Sequence, residues 1–436
     1  MSLRNPALPA LTCPAGDPEK LRAAVRFGAD EVYLSGKIFG MRSACGNFTA
    51  QELADAVAYA HAHGVRVNVT VNTMPRYDEY DALERYLGCL AEIRPDALIV
   101  ADLGVLALAK ELAPGIELHV STQAGAVSHA DCIEWYKLGA RRVVLARELT
   151  LEEIIQIRKR IPDDLGLETF IHGSMCVAWS GRCLLSANLT GRDGNRGACA
   201  QPCRWNYELF RSDSDPCAPS AQDPESYYEL DEEKRRGRRL PIVENDLGTF
   251  VMSSKDMCMI NHVPELCEAG IDALKIEGRV KSACYAAVTA YCYRHALDGF
   301  AAEGSGYRTP EEISSMLDCV SHRVYGTGFY FSRPDDSPDA QLCPAGQTGY
   351  LRENPYLAAV VSYDAESGRA SLRQRCKFSE GDSVALLTPE KGFVPFAARD
   401  LRDAEGEPIG STPHPGMEFT LPVPFPVEAG DMLIQM

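Results

Sequence analysis

The chain has 436 residues, of which 45% are hydrophobic and 24% are charged, and its formal net charge is −17. This composition excludes a disordered chain, and the excess of carboxylates excludes nucleic-acid binding through overall charge, so that a nucleic-acid partner would need a local basic surface. The sequence has no apolar leader and no run of 18 apolar residues, which predicts a cytoplasmic protein that does not span a membrane.

From residue 10 to about 173, short β-branched runs alternate with amphipathic helical segments. The predicted strands are 10–16, 31–36, 66–72, 97–102, 117–122, 141–148, 167–173 and, further along, 273–279. None of them has the pattern of an edge strand, so we expect an α/β fold in which they close a TIM-like (β/α)8 barrel. Residues 250–256 are a ninth candidate, but we favour 273–279 as the closing strand because a long helix follows it directly.

Polar residues lie at the ends of these strands, where barrel enzymes carry their active sites. They are Tyr33, Asn72, Asp102, Gln123, Arg147, Glu148, His172, Lys275, Glu277 and Arg279. Any one of them is explained by a salt bridge or a turn, but together they form a polar ring. We expect His172, Glu277 and Arg279 to be catalytic, because the strands that they end should be neighbours, and Lys275 to bind substrate.

Four cysteines, Cys176, Cys183, Cys199 and Cys203, lie within 28 residues, where 16 cysteines in 436 residues would place about one. Thiolates in a reducing compartment indicate a metal site. The wide spacing, C-x6-C-x15-C-x3-C, favours an iron-sulfur cluster over tetrahedral zinc, whose ligand pairs are usually two to four residues apart. Zinc and buried inert thiols remain open alternatives.

The same segment is basic through arginine alone. Residues 170–211 carry a net charge of +3 from Arg182, Arg192, Arg196, Arg204 and Arg211 against Asp193 and Glu208. Guanidinium groups suit phosphate or carboxylate, so we expect Arg182, Arg192, Arg196 and Arg204 to bind an anionic substrate, an RNA backbone or the cluster itself. The alternative is that these arginines only pair with carboxylates of the chain.

Two further regions complete the predicted organisation. Residues 212–249 form a polar insertion, which ends in a basic cluster over 234–239. From about residue 340 the helical periodicity stops, and alternating strands separated by glycine turns predict a small all-β barrel domain over 340–436. The TIM-like domain is then 8–335, with the cysteine-rich segment over 172–211.

Several motifs occur together in one order: CPAGDPEKLR, HVSTQA, SGRC, GRDGNRGACAQPCRW, SSKDMCMI and DALKIEGRVKS. In this order the sequence resembles the collagenase-like peptidase family U32 over about residues 8–300, and most closely the branch of that family that hydroxylates tRNA. The resemblance implies a [4Fe-4S] cluster on Cys176, Cys183, Cys199 and Cys203. It further implies prephenate-dependent, oxygen-independent formation of 5-hydroxyuridine at the wobble position. The chain lacks the extension of the ribosomal RNA branch, which favours tRNA as the partner.

Three functions compete at this point. The first is an iron-sulfur enzyme that modifies tRNA, with relatives pointing also to another RNA or a small aromatic substrate. The second is a cysteine- or metal-dependent peptidase in which Cys176 is the nucleophile and His172 the base, which requires both to lie on one helix face. The third is a non-catalytic cluster-carrying protein that acts as a homo-oligomer or with a partner subunit.

Overall fold

The computed structural model describes residues 8–42, 45–175, 186, 192, 197–201, 228–231, 239–245, 248–251, 254–332 and 355–436. Strands in the first part of the chain are β1 (Ala10–Pro14), β2 (Glu31–Leu34), β3 (Arg66–Val71), β4 (Ala97–Val100), β5 (Glu117–Val120), β6 (Arg142–Val144) and β7 (Gly166–Ser174). They are followed by β8 (Tyr228–Asp231), β9 (Arg239–Asn245), β10 (Gly248–Val251), β11 (Asp256–Cys258), β12 (Ala273–Ile276) and β13 (Tyr325–Gly326). Helices are α1 (Pro18–Arg26), α2 (Ala50–Ala62), α3 (Tyr80–Ile93), α4 (Leu103–Leu112), α5 (His129–Lys137), α6 (Leu151–Arg158), α7 (Val263–Glu268), α8 (Ala283–Glu303) and α9 (Glu311–Ser315).

Eight parallel strands close a barrel in the order β1-β2-β3-β4-β5-β6-β7-β12. Strand β12 pairs in parallel with both β1 and β7, so the predicted TIM-like barrel and its closure by 273–279 are confirmed. Strand β10, which overlaps the start of the ninth candidate region 250–256, instead belongs to an antiparallel sheet β10-β9-β8. Strand β11 lies antiparallel to the carboxyl end of β7, and β13 lies beside β11.

Short polar residues begin most helices that follow the barrel strands. Thr49 accepts a hydrogen bond from the Glu52 N–H while the Glu52 carboxylate accepts one from the Thr49 N–H, and Thr150 and Glu153 repeat this capping box. Side-chain caps also come from Asp17, Asp102, Ser128 and Ser282. These caps stabilise sharp turns from strand to helix, so the carboxyl ends of the strands meet at one rim.

The barrel core is apolar where strands face helices. Strands β2 and β4 are buried along their whole length, and α8 is buried over most of its surface because alanines let it pack closely against the barrel. No helix in the ranges described above has the length and hydrophobicity that a membrane span requires.

The C-terminal part is all-β, as predicted. Its strands are β14 (Tyr356–Asp364), β15 (Arg369–Gln374), β16 (Ser383–Thr388), β17 (Gly392–Ala397), β18 (Arg402–Asp403), β19 (Glu418–Pro422) and β20 (Met432–Gln435). They form an antiparallel sheet in the order β17-β16-β20-β14-β15-β19-β18 around a separate apolar core. Three ion pairs tie this domain to α1: Arg26 with Asp431 at 2.7 Å and with Glu428 at 2.8 Å, and Glu19 with Arg375 at 2.6 Å.

Candidate functional site

A cavity opens at the carboxyl ends of the barrel strands, with an empty volume of about 540 Å³ including the space open to solvent. Seven of the ten rim residues predicted from sequence line it: Tyr33, Asn72, Gln123, Arg147, Lys275, Glu277 and Arg279. Period-two alternation in β12 explains three of them, because Lys275, Glu277 and Arg279 point to the barrel interior while Ile276 faces the helices. The predicted polar ring is therefore the wall of one cavity.

At the floor of the cavity and below it lies an ionic layer, here called the lower layer, made of Glu31, Arg66, Arg142, Glu168 and Lys275, of which all but Arg66 are buried. Arg142 donates to Glu31 at 2.6 Å and to Glu168 at 3.0 Å. Lys275 donates to Glu168 at 2.6 Å, and Arg66 contacts Glu31 at 2.6 Å from the edge of the barrel. Each charge in this layer thus has a partner of opposite sign.

The paired cations keep the carboxylates of the lower layer ionised. Burial favours the neutral form of Glu31, but hydrogen bonds and charge from Arg142 lower its pKa to about 2. Burial likewise opposes the charge of Glu168, and Lys275 with Arg142 holds its pKa below the usual range. The lower layer is a fixed set of charges at neutral pH.

Above it lies the upper layer, made of Arg42, Arg147, Glu277 and Arg279. Glu277 is the only acidic residue among the cavity-lining residues that the structure describes, which include three arginines. Its Oε1 lies 3.4 Å from Arg42 Nη2, a longer separation than any ion pair of the lower layer. Cations therefore outnumber carboxylates at the cavity mouth, which suits an anionic ligand.

Two arginines of the upper layer are also held by uncharged groups. Arg279 donates to the Met41 carbonyl and, at 3.3 Å, to the Thr70 hydroxyl. Burial lowers the pKa of Arg279, but not enough to neutralise a guanidinium in water at pH 7. Arg147 donates to the Ser174 carbonyl at 2.9 Å.

Two aromatic rings form flat walls of the cavity. The Lys275 ammonium lies 4.2 Å from the centre of the Tyr33 ring, and the Arg147 guanidinium lies 4.9 Å from that of Phe170. Burial raises the pKa of Tyr33 well above its usual value, and its hydroxyl donates to the Ile276 carbonyl at 3.0 Å. Faces of this kind suit a planar or ring-shaped ligand.

His172 lies next to Glu277 in the sheet, as predicted, but its side chain does not line the cavity. The β7 to β12 register runs from Phe170 opposite Lys275 to His172 opposite Ile276, so Ile171 is an extra residue, a β-bulge. Without the bulge, alternation after Phe170 would turn His172 into the cavity. With it, His172 shares the outward side of Ile276.

The outward face holds His172 among aromatic rings. Its ring centre lies 5.8 Å from Tyr285, 5.6 Å from Tyr293 and 5.3 Å from Tyr325, and the residue is 1% exposed. Burial lowers its pKa to about 3, so the imidazole is neutral. Residues 166–174 form a strand, so the helix on which the peptidase hypothesis depends is not present there.

The cysteine-rich segment lies against the loop at the cavity mouth at Gly197. A Cβ atom on Gly197 would lie 3.0 Å from the Gly40 oxygen and 3.1 Å from the Arg42 nitrogen, so this glycine packs against the loop that carries Arg42. Cys199, two residues later and at most about 7 Å further along the chain, accepts a hydrogen bond at its Sγ from the Gln201 N–H at 3.3 Å. Backbone donors to sulfur of this kind suit a thiolate ligand.

Several predicted site residues lie outside the described residues: Cys176, Cys183, Cys203, Arg182, Arg196 and Arg204. Arg192 is described, and its carbonyl accepts a hydrogen bond at 2.6 Å from Ser186, whose hydroxyl also accepts one from the Ala200 N–H. These bonds join two parts of the cysteine-rich segment beside Cys199.

A buried group of hydrogen bonds holds the residue before Cys176. Ser254 donates to the Met175 carbonyl at 2.9 Å and accepts from Arg323 at 2.9 Å. Arg323, which is 1% exposed, also forms an ion pair with Asp256 at 2.5 Å. Burial opposes the ionisation of Asp256, but the charge of Arg323 holds the pKa of Asp256 below its usual range. We call Ser254, Asp256 and Arg323 the Met175 anchor.

Among the cavity residues that the sequence patterns did not identify are Arg42, Thr70 and Phe170. Arg42 lies in the loop after β2, which has no periodicity, and Thr70 and Phe170 lie two residues before the predicted rim residues Asn72 and His172. Strand alternation identifies Thr70 and Phe170 once it is known which residues of their strands face the barrel interior. Of the other predicted rim residues, Asp102 caps α4, and Glu148 does not line the cavity.

Comparison with known proteins agrees with this geometry. The chain matches peptidase family U32 over residues 16–339 and the C-terminal domain of that family over residues 352–433. It is 35% identical to tRNA hydroxylation protein P1 of Bacillus subtilis (strain 168), over 93% of this chain and 90% of the relative. It is 34% identical to tRNA hydroxylation protein P of Escherichia coli (strain K12), over 98% of this chain and 96% of the relative. A match to the 23S rRNA 5-hydroxycytidine C2501 synthase of the same organism, at 34% identity, covers 80% of this chain and 50% of that protein. The chain therefore belongs to peptidase family U32.

Proposed function

We propose that this protein is an iron-sulfur-dependent RNA hydroxylase of the cytoplasm that forms 5-hydroxyuridine at the wobble position of tRNA, with prephenate as an anionic co-substrate. The relatives named above are a tRNA hydroxylation protein in two bacteria and an rRNA hydroxycytidine synthase. The two tRNA hydroxylation proteins match 93% and 98% of this chain and the rRNA synthase matches 80%, which supports tRNA as the substrate.

The observation that carries the proposal is the cavity itself. It combines an excess of guanidinium groups with two aromatic walls, and it stands beside the segment that contains Cys199. A wobble base is already unpaired, so turning it into such a cavity costs little. A cyclic dicarboxylate such as prephenate matches the arginines of the upper layer.

The four clustered cysteines would hold the cluster. The hydrogen bond from Gln201 to the Cys199 sulfur is consistent with a thiolate there. A [4Fe-4S] cluster would supply one-electron chemistry or a Lewis-acidic iron next to the cavity. A zinc ion would use the same thiolates but would supply no redox chemistry.

Within the cavity each charged residue has a distinct role. Glu277 is the candidate to hold or accept a proton from substrate, since no other carboxylate lines the cavity among the described residues. Arg279 is fixed by Met41 and Thr70 and binds an anion from a set position. Lys275, held by Glu168, lies at the floor and orients the ligand.

RNA should approach from the side of the cysteine-rich segment. Residues 355–436 contain 7 lysines and arginines against 12 acidic residues, so the C-terminal domain repels phosphates. Arg182, Arg192, Arg196 and Arg204 supply local positive charge in this segment, and the basic cluster over 234–239 supplies more in the insertion that follows it. Phosphate contacts there would position the tRNA without reading its sequence.

The test uses Cys199→Ser, with Cys376→Ser in the C-terminal domain as the matched control, because both cysteines are partly buried. After anaerobic purification we expect Cys199→Ser to lose iron and acid-labile sulfide together and to leave tRNA unmodified in a strain that lacks the native protein. Cys376→Ser should retain both. Full iron and sulfide in Cys199→Ser would refute the ligand assignment. Normal tRNA in the strain without the protein would refute the tRNA activity and favour a cluster-carrying subunit.

A further inference from the structure

Two buried polar atoms of the cavity lack hydrogen-bond partners among the described residues. They are Gln123 Oε1, which is an acceptor, and Arg147 Nε, which carries a donor N–H. The other polar side chains that line the cavity each have a hydrogen-bond or ion-pair partner, and Asn72 uses both atoms of its amide, toward Met41 and Ser121. A buried polar atom without a partner is costly, so these two atoms indicate a ligand that supplies both partners.

Gln123 and Arg147 lie side by side at the ends of neighbouring strands. Strand β5 pairs in parallel with β6, and the Thr122 hydroxyl donates to the Leu145 carbonyl at 3.1 Å where the two strands end. The backbone of Gln123 is held as well, because its N–H donates to Ser121 Oγ at 3.3 Å. Both side chains are therefore carried by backbone that is fixed without a ligand, which lowers the cost of binding one.

The side of the cavity formed by β4 to β7 differs from the side that holds the ion pair of Glu277. Gln123 and Arg147 share this side with Ile99, Val144 and Phe170. The cavity-lining residues that the structure describes on these four strands, and directly after them, include no carboxylate. An apolar surface with one uncharged acceptor and one fixed donor suits the edge of a flat heterocycle.

We propose that Gln123 and Arg147 form the subsite for the target base and bind the imide edge of uracil. Gln123 Oε1 accepts from the N3–H of the base, and Arg147 Nε–H donates to the neighbouring carbonyl oxygen. This inference rests on the proposed function and adds to it where the base lies and which residues read it. The imide presents a donor directly beside an acceptor, which are the two partners that the buried atoms lack.

The experiment measures binding rather than hydroxylation. Fluorescence anisotropy on the full chain compares three hairpin RNAs that differ only in the base at the modified position: uridine, 3-methyluridine, which lacks the N3–H, and cytidine. The variants are Gln123→Met and Gln123→Leu, which remove the acceptor, and Arg147→Lys, which keeps the charge but removes the Nε–H. The matched control is Gln156→Met on α6, because this glutamine is also partly exposed and its side chain bonds to Glu152 of the same helix.

We expect wild type and Gln156→Met to bind the uridine RNA at least about tenfold more tightly than the other two RNAs, since each of these leaves the Gln123 acceptor facing N3 without a hydrogen. In Gln123→Met and Gln123→Leu the three affinities should lie within about threefold of one another. Arg147→Lys should weaken the uridine and 3-methyluridine RNAs alike, because both bases keep their carbonyl groups.

Three results would overturn the inference. They are a wild-type protein that does not distinguish uridine from 3-methyluridine, a cytidine RNA that binds as tightly as the uridine RNA, and Gln123 variants that melt like wild type and keep the wild-type ratio. Failure of the proposed function is distinguishable, because it would appear as unchanged tRNA modification in a strain without the protein, whatever the affinity ratios.

Discussion

The lower and upper layers of the barrel are built from the same residue types but use them differently. In the lower layer every charge has an opposite partner within 3.0 Å. In the upper layer three arginines share one carboxylate, and the ion pair between Arg42 and Glu277 is 3.4 Å long. The lower layer therefore sets three cations against two carboxylates, and the described residues of the upper layer set three cations against one.

This difference separates structural charges from binding charges. Buried ions without partners are costly, so a layer that has to stay dry under the cavity is paired within itself. Binding of an anion would balance the excess positive charge of the upper layer. The comparison therefore predicts that changes in the lower layer affect stability first, and that changes in the upper layer affect ligand binding and activity first.

The largest expected effect is on activity, from Glu277→Gln. Removal of the only cavity carboxylate in the described part of the chain should lower tRNA hydroxylation by about 10² to 10⁴-fold, the usual contribution of a positioned acid or base. The free energy of unfolding should change by less than about 1 kcal/mol, because the direct ion pair of Glu277, with Arg42, is 3.4 Å long. Measurement of 5-hydroxyuridine in tRNA and of urea unfolding checks both. Wild-type activity in this variant would make the residue structural.

The opposite pattern is expected from Glu31→Gln in the lower layer. The Arg142 guanidinium would lose its closest carboxylate while staying buried, which typically destabilises a protein by about 3 to 5 kcal/mol. Urea unfolding followed by circular dichroism measures the loss. tRNA hydroxylation, measured at a temperature where the variant is folded, should stay within about threefold of wild type. A large loss of activity with little loss of stability would contradict the division between the layers.

Acid should weaken the lower layer with a defined sign. The pKa of Glu31 is lowered from 4.5 to about 2 in the folded protein, so its contribution to stability is complete above about pH 4.5 and is lost as the pH falls toward 2. The shift corresponds to about 3 kcal/mol. Unfolding free energies of wild type and Glu31→Gln should therefore converge between pH 5 and pH 2. If the two unfolding free energies stayed equally far apart over this range, Arg142 would not lower the pKa of Glu31 in the folded protein.

A smaller effect is expected at the Met175 anchor, which lies outside both layers. Ser254→Ala removes the hydroxyl that joins Arg323 to the Met175 carbonyl, and buried polar groups left without a partner cost about 1 to 3 kcal/mol. Thr412→Val is the control, because it removes a buried hydroxyl from the C-terminal domain. Hydrogen exchange in a peptide covering 173–176 should become faster only in Ser254→Ala. Equal exchange in both variants would show that the anchor does not hold this end of β7.

The parts of the site that follow strand alternation could be predicted from the sequence. Lys275, Glu277 and Arg279 face the cavity because β12 is regular, and the neighbouring positions of β7 and β12 follow from barrel closure. The orientation of His172 could not be predicted, because a bulge leaves no mark on hydrophobic periodicity.

Arg42 could not be predicted as a cavity residue, for a different reason. It lies in a loop whose conformation depends on tertiary contacts with Asn72 and Arg279 rather than on local sequence. Nothing in an isolated arginine indicates the left-handed backbone that Arg42 adopts, with φ 75°, since that region is usually occupied by glycine or asparagine. The roles of Cys176, Cys183 and Cys203 stay predictions from spacing and resemblance.

The extra residue Ile171 keeps the side chain of His172 out of the cavity. Deletion of Ile171 would restore simple alternation, and the His172 imidazole would then face the cavity beside Glu277 instead of the tyrosines of α8. The same deletion would shift Ser174 and Met175 by one place against their hydrogen-bond partners. Deletion of one residue, which a survey of point substitutions does not sample, would thus bring a histidine into the cavity of this barrel.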